Sequence, residues 1–235
     1  MHDVKAILFD TFGTVVDWRS SVIAEMNAFG EQRGITGDWP GFADAWRAAY
    51  HPSMDRVRKG ELPWTILDVL HRASLDKLLP QFGVTGLSEA ELDHLNRIWH
   101  RLTPWPDSVA GLARLKQKYI IGPLSNGNVA LLVNLAKHSA IPWDVVFGSE
   151  ISRHFKPDPE VYLGACTMLG LQPAQVMMAA AHNHDLKAAQ ALGLKTAFFA
   201  RPTEYGPKQN KDFAPDGDWT VVAKDIEDLA TQMGA

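Results

Sequence analysis

Val4-Lys5-Ala6-Ile7-Leu8-Phe9-Asp10, with Thr11-Phe12-Gly13-Thr14 directly behind it, is the stretch that decides the fold. The run is short and apolar, and it ends on an acid and a turn-like tetrapeptide. That pattern reads as a buried strand that stops at a loop. Four later runs share its character, at 119–124, 144–147, 176–180 and 195–199, and a sixth lies at 219–223. Helix-length segments separate the later ones. Residues 128–137 carry Val129, Leu132, Val133 and Ala136 on one face, and residues 159–169 place Val161, Ala165 and Leu169 together. A third segment, 185–192, stops before Gly193, where a glycine cap belongs. Strands alternating with helices predict an α/β fold, with a Rossmann-like, mostly parallel sheet covered on both faces.

The stretch 18–100 has a different texture. Val22, Ile23, Met26 and Phe29 recur at helical spacing, as do Ala45, Trp46, Ala49 and Tyr50, and then Ile66, Val69 and Leu70. No strand pattern interrupts them. An inserted helical bundle is expected there, with Thr103-Pro104-Trp105-Pro106 as the linker back. The domain division is therefore 1–17 with 101–235 for the sheet, and 18–100 for the insertion. Residues 201–218, rich in Pro, Gly and Lys, read as a loop.

Composition narrows the function classes. The chain has 235 residues, 46% hydrophobic and 21% charged, enough apolar material for a sizeable core. Its net charge is -4 and no basic stripe appears, so nucleic acid is not an expected partner. Two long uncharged runs, 119–136 and 161–184, are broken by Gly122, Pro123, Gly170 and Pro173, which argues against membrane helices. The acid at position 3 and the short first run do not resemble a secretory leader. One cysteine, Cys166, excludes an internal disulfide and suits a cytoplasmic location.

In a parallel sheet, ligands bind beyond the carboxyl ends of the strands. The polar residues there are Asp10 after the first strand, Ser125 and Asn126 after the second, Lys156 in the loop beyond the third, and His182 to Asp185 after the fourth. Each has an ordinary explanation alone: a turn residue, a solvated lysine, a helix cap. Together they supply a nucleophile, hydrogen-bond donors, a counter-charge and a base. His182 and His184 lack a third ligand at recognisable spacing, so no metal site is expected.

These residues sit in FDTFGTVVDWR around Asp10, LSNG at 124–127, FKPDPEVY at 155–162 and AAHNHD at 180–185. The four segments, in this order, resemble the motifs of the haloacid dehalogenase (HAD) superfamily, and the insertion resembles its cap. Phosphatases of that superfamily carry a second acid two residues after the nucleophile, where this chain has Phe12, and usually another acid near the fourth motif. The aromatic residue, with the Trp46-Arg47 pair, is instead similar to the L-2-haloacid dehalogenases. Ala180-Ala181-His182 departs from the commoner pattern of that branch. It resembles a subset that reads Ala-Ala-His and includes enzymes acting on fluoroacetate.

The resemblance implies hydrolysis of short 2-haloacids through an aspartyl ester on Asp10, with no metal and no cofactor. Lys156 would keep Asp10 anionic. Ser125, Asn126, Thr11 and the backbone of the 11–14 loop would hold the substrate carboxylate. Arg47 would bind carboxylate or departing halide, and Asp185 with His182 would serve the hydrolytic water. Phe12, Trp64 and Tyr50 would wall a small pocket, with Tyr162 beside it. The expected partners are a small haloacid and its halide product, neither nucleic acid nor membrane, and a second copy in a homodimer. An atypical magnesium-dependent phosphatase, or a fold kept for binding alone, are the alternatives.

Overall fold

The computed structural model describes residues 3–235. Strand β1 (Ala6–Phe9) lies inside a five-stranded sheet. Next come β2 (Val16–Asp17) and helices α1 (Trp18–Arg33), α2 (Trp39–Ala48), α3 (Tyr50–Arg58), α4 (Leu67–Leu78) and α5 (Glu89–Asn96). The chain returns through β3 (Thr103–Pro104), α6 (Ser108–Lys116) and β4 (Ile120–Pro123). Helices α7 (Val129–His138), α8 (Ser149–Ser152) and α9 (Pro159–Leu169) lead to β5 (Val176–Ala180), α10 (Asn183–Ala191) and β6 (Lys195–Phe198). A loop then reaches β7 (Val221–Val222) and α11 (Ile226–Gln232). The sheet order is β4-β1-β5-β6-β7, all pairs parallel.

Alternation along the strands explains the two-sided burial. Ile7 and Phe9 face one apolar cluster, with Leu112, Leu132 and Leu229 from α6, α7 and α11. Ala6 and Leu8 face the other, with Ala165 and Leu186 from α9 and α10. Each large apolar side chain so buried is worth about 1.5–3 kcal/mol. The first cluster also runs on into the helical segment, through Trp18, Met26, Trp46 and Trp99.

Four expectations change. The segment 144–147 does not form a regular strand: its backbone bonds Ile121 O and Pro123 O along β4, but Asp144 Oδ2 takes the Ile121 N–H at 3.0 Å and only Leu124 and Phe147 form a bridge. The return linker is partly a strand, since β3 pairs antiparallel with β2 and closes the neck of the helical segment. On α7 the buried residues are Leu131, Leu132 and Leu135, while Val133 is exposed. Val69 is likewise exposed; Leu67 and Leu70 face inward on α4. No helix of the described residues is long and apolar enough to cross a membrane.

Candidate active site

Register brings the polar residues together. Phe9 pairs with Pro123 on one side and Ala179 on the other, so β1, β4 and β5 end level. Asp10, Ser125-Asn126 and His182 therefore emerge from one edge. The Asp10 backbone N–H still donates to Ala179 O at 3.0 Å, which fixes the carboxylate's starting point.

Asp10 is buried and fully engaged. Its Oδ1 accepts from Lys156 Nζ at 3.0 Å. Its Oδ2 accepts from Thr14 Oγ1 at 2.8 Å and from His182 Nδ1 at 2.9 Å. Burial alone would raise its pKa, but the Lys156 ammonium and His182 outweigh burial and hold the carboxyl well below the usual range. Lys156 also donates to Asp185 Oδ2, and the two carboxylates overcome burial to raise its pKa. Tyr162 completes the row, its hydroxyl donating to Asp185 Oδ1 at 2.6 Å. Asp185 thus serves the lysine and the tyrosine rather than the end of α10. Asn126 Oδ1 accepts from Lys156 N at 2.6 Å and ties the two loops.

His182 stands between two carboxylates, with Nε2 at 2.8 Å from Glu204 Oε2. Carboxylates only accept, so both ring nitrogens donate and the ring is an imidazolium. Burial opposes that charge, yet Glu204 and Asp10 raise its pKa well above the ordinary value.

These groups open on a cavity of about 170 Å³, below the about 300 Å³ at which drug-sized pockets begin. Phe12 lines it, edge-on to Trp99 with centroids 5.5 Å apart. Arg47 lies over the Tyr50 ring at 4.3 Å, and its Nη1 is buried with no hydrogen-bond partner among the described residues. Desolvation works against that guanidinium, but Tyr205, Tyr50, Glu204 and Asp10 keep it charged. His51 and His184 also line the cavity, and burial lowers both pKa values, His51 to about 4. Arg47, His51 and Tyr205 are shared with a second, neighbouring cavity that Asp44, Lys208 and Lys211 also line.

Most of the expected residues converge here: Asp10, Phe12, Arg47, Asn126, Lys156, Tyr162, His182 and Asp185, with Tyr50. Thr11 and Ser125 are buried and do not line the cavity; Ser125 Oγ accepts from Gly127 N at 3.2 Å and braces its own turn. Trp64 is a correction. Its ring packs on Phe155 at 4.8 Å and lines a different cleft with Arg58 and Asp158.

Sequence reading missed Thr14, Glu204, Tyr205 and Arg201. Thr14 Oγ1 accepts from Ala181 N at 3.0 Å and passes its own proton toward Asp10. Arg201 holds the loop that carries Glu204, donating to Asp107 through both Nη atoms at 2.7 and 2.8 Å and to Thr14 O through Nε at 3.0 Å. No local pattern in the sequence marks Glu204, which lies 22 residues from His182.

The site can present an anionic oxygen to a small anion-bearing molecule. Three carboxylates, Asp10, Asp185 and Glu204, face three cations, Lys156, His182 and Arg47. Lys156 occupies the point where Asp10 and Asp185 converge. Among the described residues no group of three or more His, Cys, Asp or Glu side chains is arranged to hold a metal ion.

Residues 4–193 match the family model of haloacid dehalogenase-like hydrolases. The chain is 26% identical over 245 residues to (S)-2-haloacid dehalogenase 4A of Burkholderia cepacia, covering 98% of this chain and all of that protein. It is similar to the crystal structure of an L-2-haloacid dehalogenase, at 52% identity and TM-score 0.95, over 98% of this chain and 99% of the other. It is also similar to that of a defluorinating L-2-haloacid dehalogenase, at 53% identity and TM-score 0.96, over 99% and 96%.

Proposed function

The chain belongs to the haloacid dehalogenase-like hydrolases, in their L-2-haloacid dehalogenase branch, and on that premise we propose that it hydrolyses the carbon–halogen bond of short 2-haloacids, fluoroacetate included. One observation carries the reading. A carboxylate held anionic by Lys156 and His182 faces a cavity of about 170 Å³ that contains Phe12 and an unpartnered Arg47 nitrogen.

Chemistry proceeds in two displacements. Asp10 Oδ1, which accepts one hydrogen bond against two at Oδ2, attacks the carbon bearing the halogen, and halide leaves with the bonding pair. Arg47 receives the substrate's charge, and Asn126 sets its orientation. Water then attacks Cγ of the aspartyl ester. Asp185 takes one proton from that water and returns it to the departing alkoxide oxygen. The second proton leaves to solvent as Asp10 ionises again. Phe12 stands where the phosphatase pattern has an acid, and its ring leaves a carbon-lined wall.

Residues 18–100 are, in this reading, a cap over the site. A cytoplasmic location, which the lone Cys166 suits, and a homodimer, which rests on the resemblance, belong to the same proposal. Halide release from chloroacetate and fluoroacetate, with and without EDTA, tests it. Turnover unaffected by the chelator is expected. Loss of turnover with EDTA and its recovery with magnesium would favour the phosphatase-like alternative.

A further inference from the structure

The two displacements leave one buried acid without a task. Glu204 is 1% exposed, in the loop after β6. Its Oε2 accepts from His182 Nε2, and its Oε1 accepts from Trp18 Nε1 at 3.1 Å. The backbone makes room for it: Gly13 has φ +88°, and a Cβ there would lie 2.1 Å from Glu204 Oε1. Burying a carboxylate is costly unless it is paired and hydrogen-bonded. A neutral residue would fill the space at less cost, so the charge needs a reason.

The reason follows from what happens to Asp10. In the resting site His182 has two anionic neighbours, Asp10 and Glu204. Once Asp10 is esterified, its charge is gone and Glu204 alone remains against the ring. Taking the dehalogenase reading as given, we propose that Glu204 is the positioning residue for ester hydrolysis, holding His182 Nδ1–H on Asp10 Oδ2 so that His182 and Thr14 receive the oxyanion of the second step.

The geometry is already in place. Thr14 Oγ1 and His182 Nδ1 both donate to Oδ2, at 2.8 and 2.9 Å. When water oxygen bonds to Cγ, the carbonyl pair moves onto Oδ2 between these two donors. Collapse restores that carbonyl and breaks the bond from Cγ to Oδ1, which leaves in the hydroxy acid. His182 keeps its proton throughout. Other groups also face this ring and shape its titration: Asp10 from the end of β1, Glu204 from the loop after β6, and His184 on its own turn at 5.7 Å. Lys156 and Arg47 lie across the cavity and oppose its charge.

The test is a single turnover of chloroacetate with enzyme in excess, reading halide burst and decay of the ester by intact mass. In Glu204→Gln the burst rate should stay within about twofold, while ester decay slows about tenfold or more. The slowing should grow with pH. A buried His182 flanked by an ester and an amide has lost both anions that outweigh burial, so its pKa drops from its raised position, and decay falls as pH rises through the lowered value. Wild-type decay should stay level over the same range. In a His182→Asn background, Glu204→Gln should add no further slowing. Equal loss of burst and decay, or slowing by one factor at every pH, overturns the proposal. If Glu204→Gln does not fold, the wild-type profile decides alone, because a fall through the ordinary imidazole range overturns it. No halide from the wild type would instead overturn the dehalogenase reading itself.

Discussion

At the scale of single residues, the site works by fixing charge states. Asp10 must be anionic to attack, and Lys156 and His182 hold its pKa well below the usual carboxylate range. A depressed pKa keeps the charged form present as pH falls. The single-turnover burst should therefore be level from neutral pH down past about 4, where a free aspartate is half protonated. A pH-jump burst with a midpoint at or above that value would contradict the assignment. Phe12 is the second test. Its ring lies between Trp99 and Tyr50, so Phe12→Asp adds a carboxylate beside the substrate's own. Dehalogenation should drop about a hundredfold or more by repulsion and lost packing, without a good phosphatase appearing. Unchanged haloacid turnover would show that Phe12 does not line the site. Asp10 and Asp185 are legible because each follows an apolar strand at the same edge of the sheet, and Lys156 because it sits in the FKPDPEVY segment. Glu204 is not, since 22 residues separate it from His182 and only folding joins them.

At the scale of elements, the site depends on loops that the sheet presents and two arginines restrain. Arg58, from α3, donates to Phe155 O at 3.1 Å and to Lys156 O, clasping the loop that carries the lysine. Arg201 does the same for the 201–209 loop through Asp107 and Thr14 O. Arg201→Ala leaves Asp107 without its partner in a mostly buried setting. We expect a loss of about 3 kcal/mol in urea unfolding and a slower dehalogenation, as Glu204 loses its support. A change within about 0.5 kcal/mol would show the pair to be ornamental. The strands were legible where apolar runs are bounded by turns. The run at 144–147 is apolar in the same way, yet the Asp144 carboxylate takes the Ile121 N–H that a strand carbonyl would accept, and only Leu124 and Phe147 form a bridge. The composition of 201–218 identifies a loop, but nothing in it marks the arginine or the acid that matter.

At the scale of the molecule, a parallel sheet and an all-helical segment share one continuous apolar cluster, and the cavity opens where they meet. The division of the chain into strands with one inserted helical stretch could be read from periodicity. Which helical residues reach the cavity could be read only in part: Arg47 and Tyr50 line it, whereas Trp64, beyond the end of α3, turns to Phe155. The central claim is that Asp10 itself attacks carbon. With enzyme in excess in ¹⁸O water, a first turnover should give hydroxy acid that is largely unlabelled, its new oxygen drawn from Asp10. The label should enter the peptide containing Asp10 and no other. Direct attack of water on the substrate carbon would give the reverse, labelled product and unlabelled enzyme, and would contradict the covalent account.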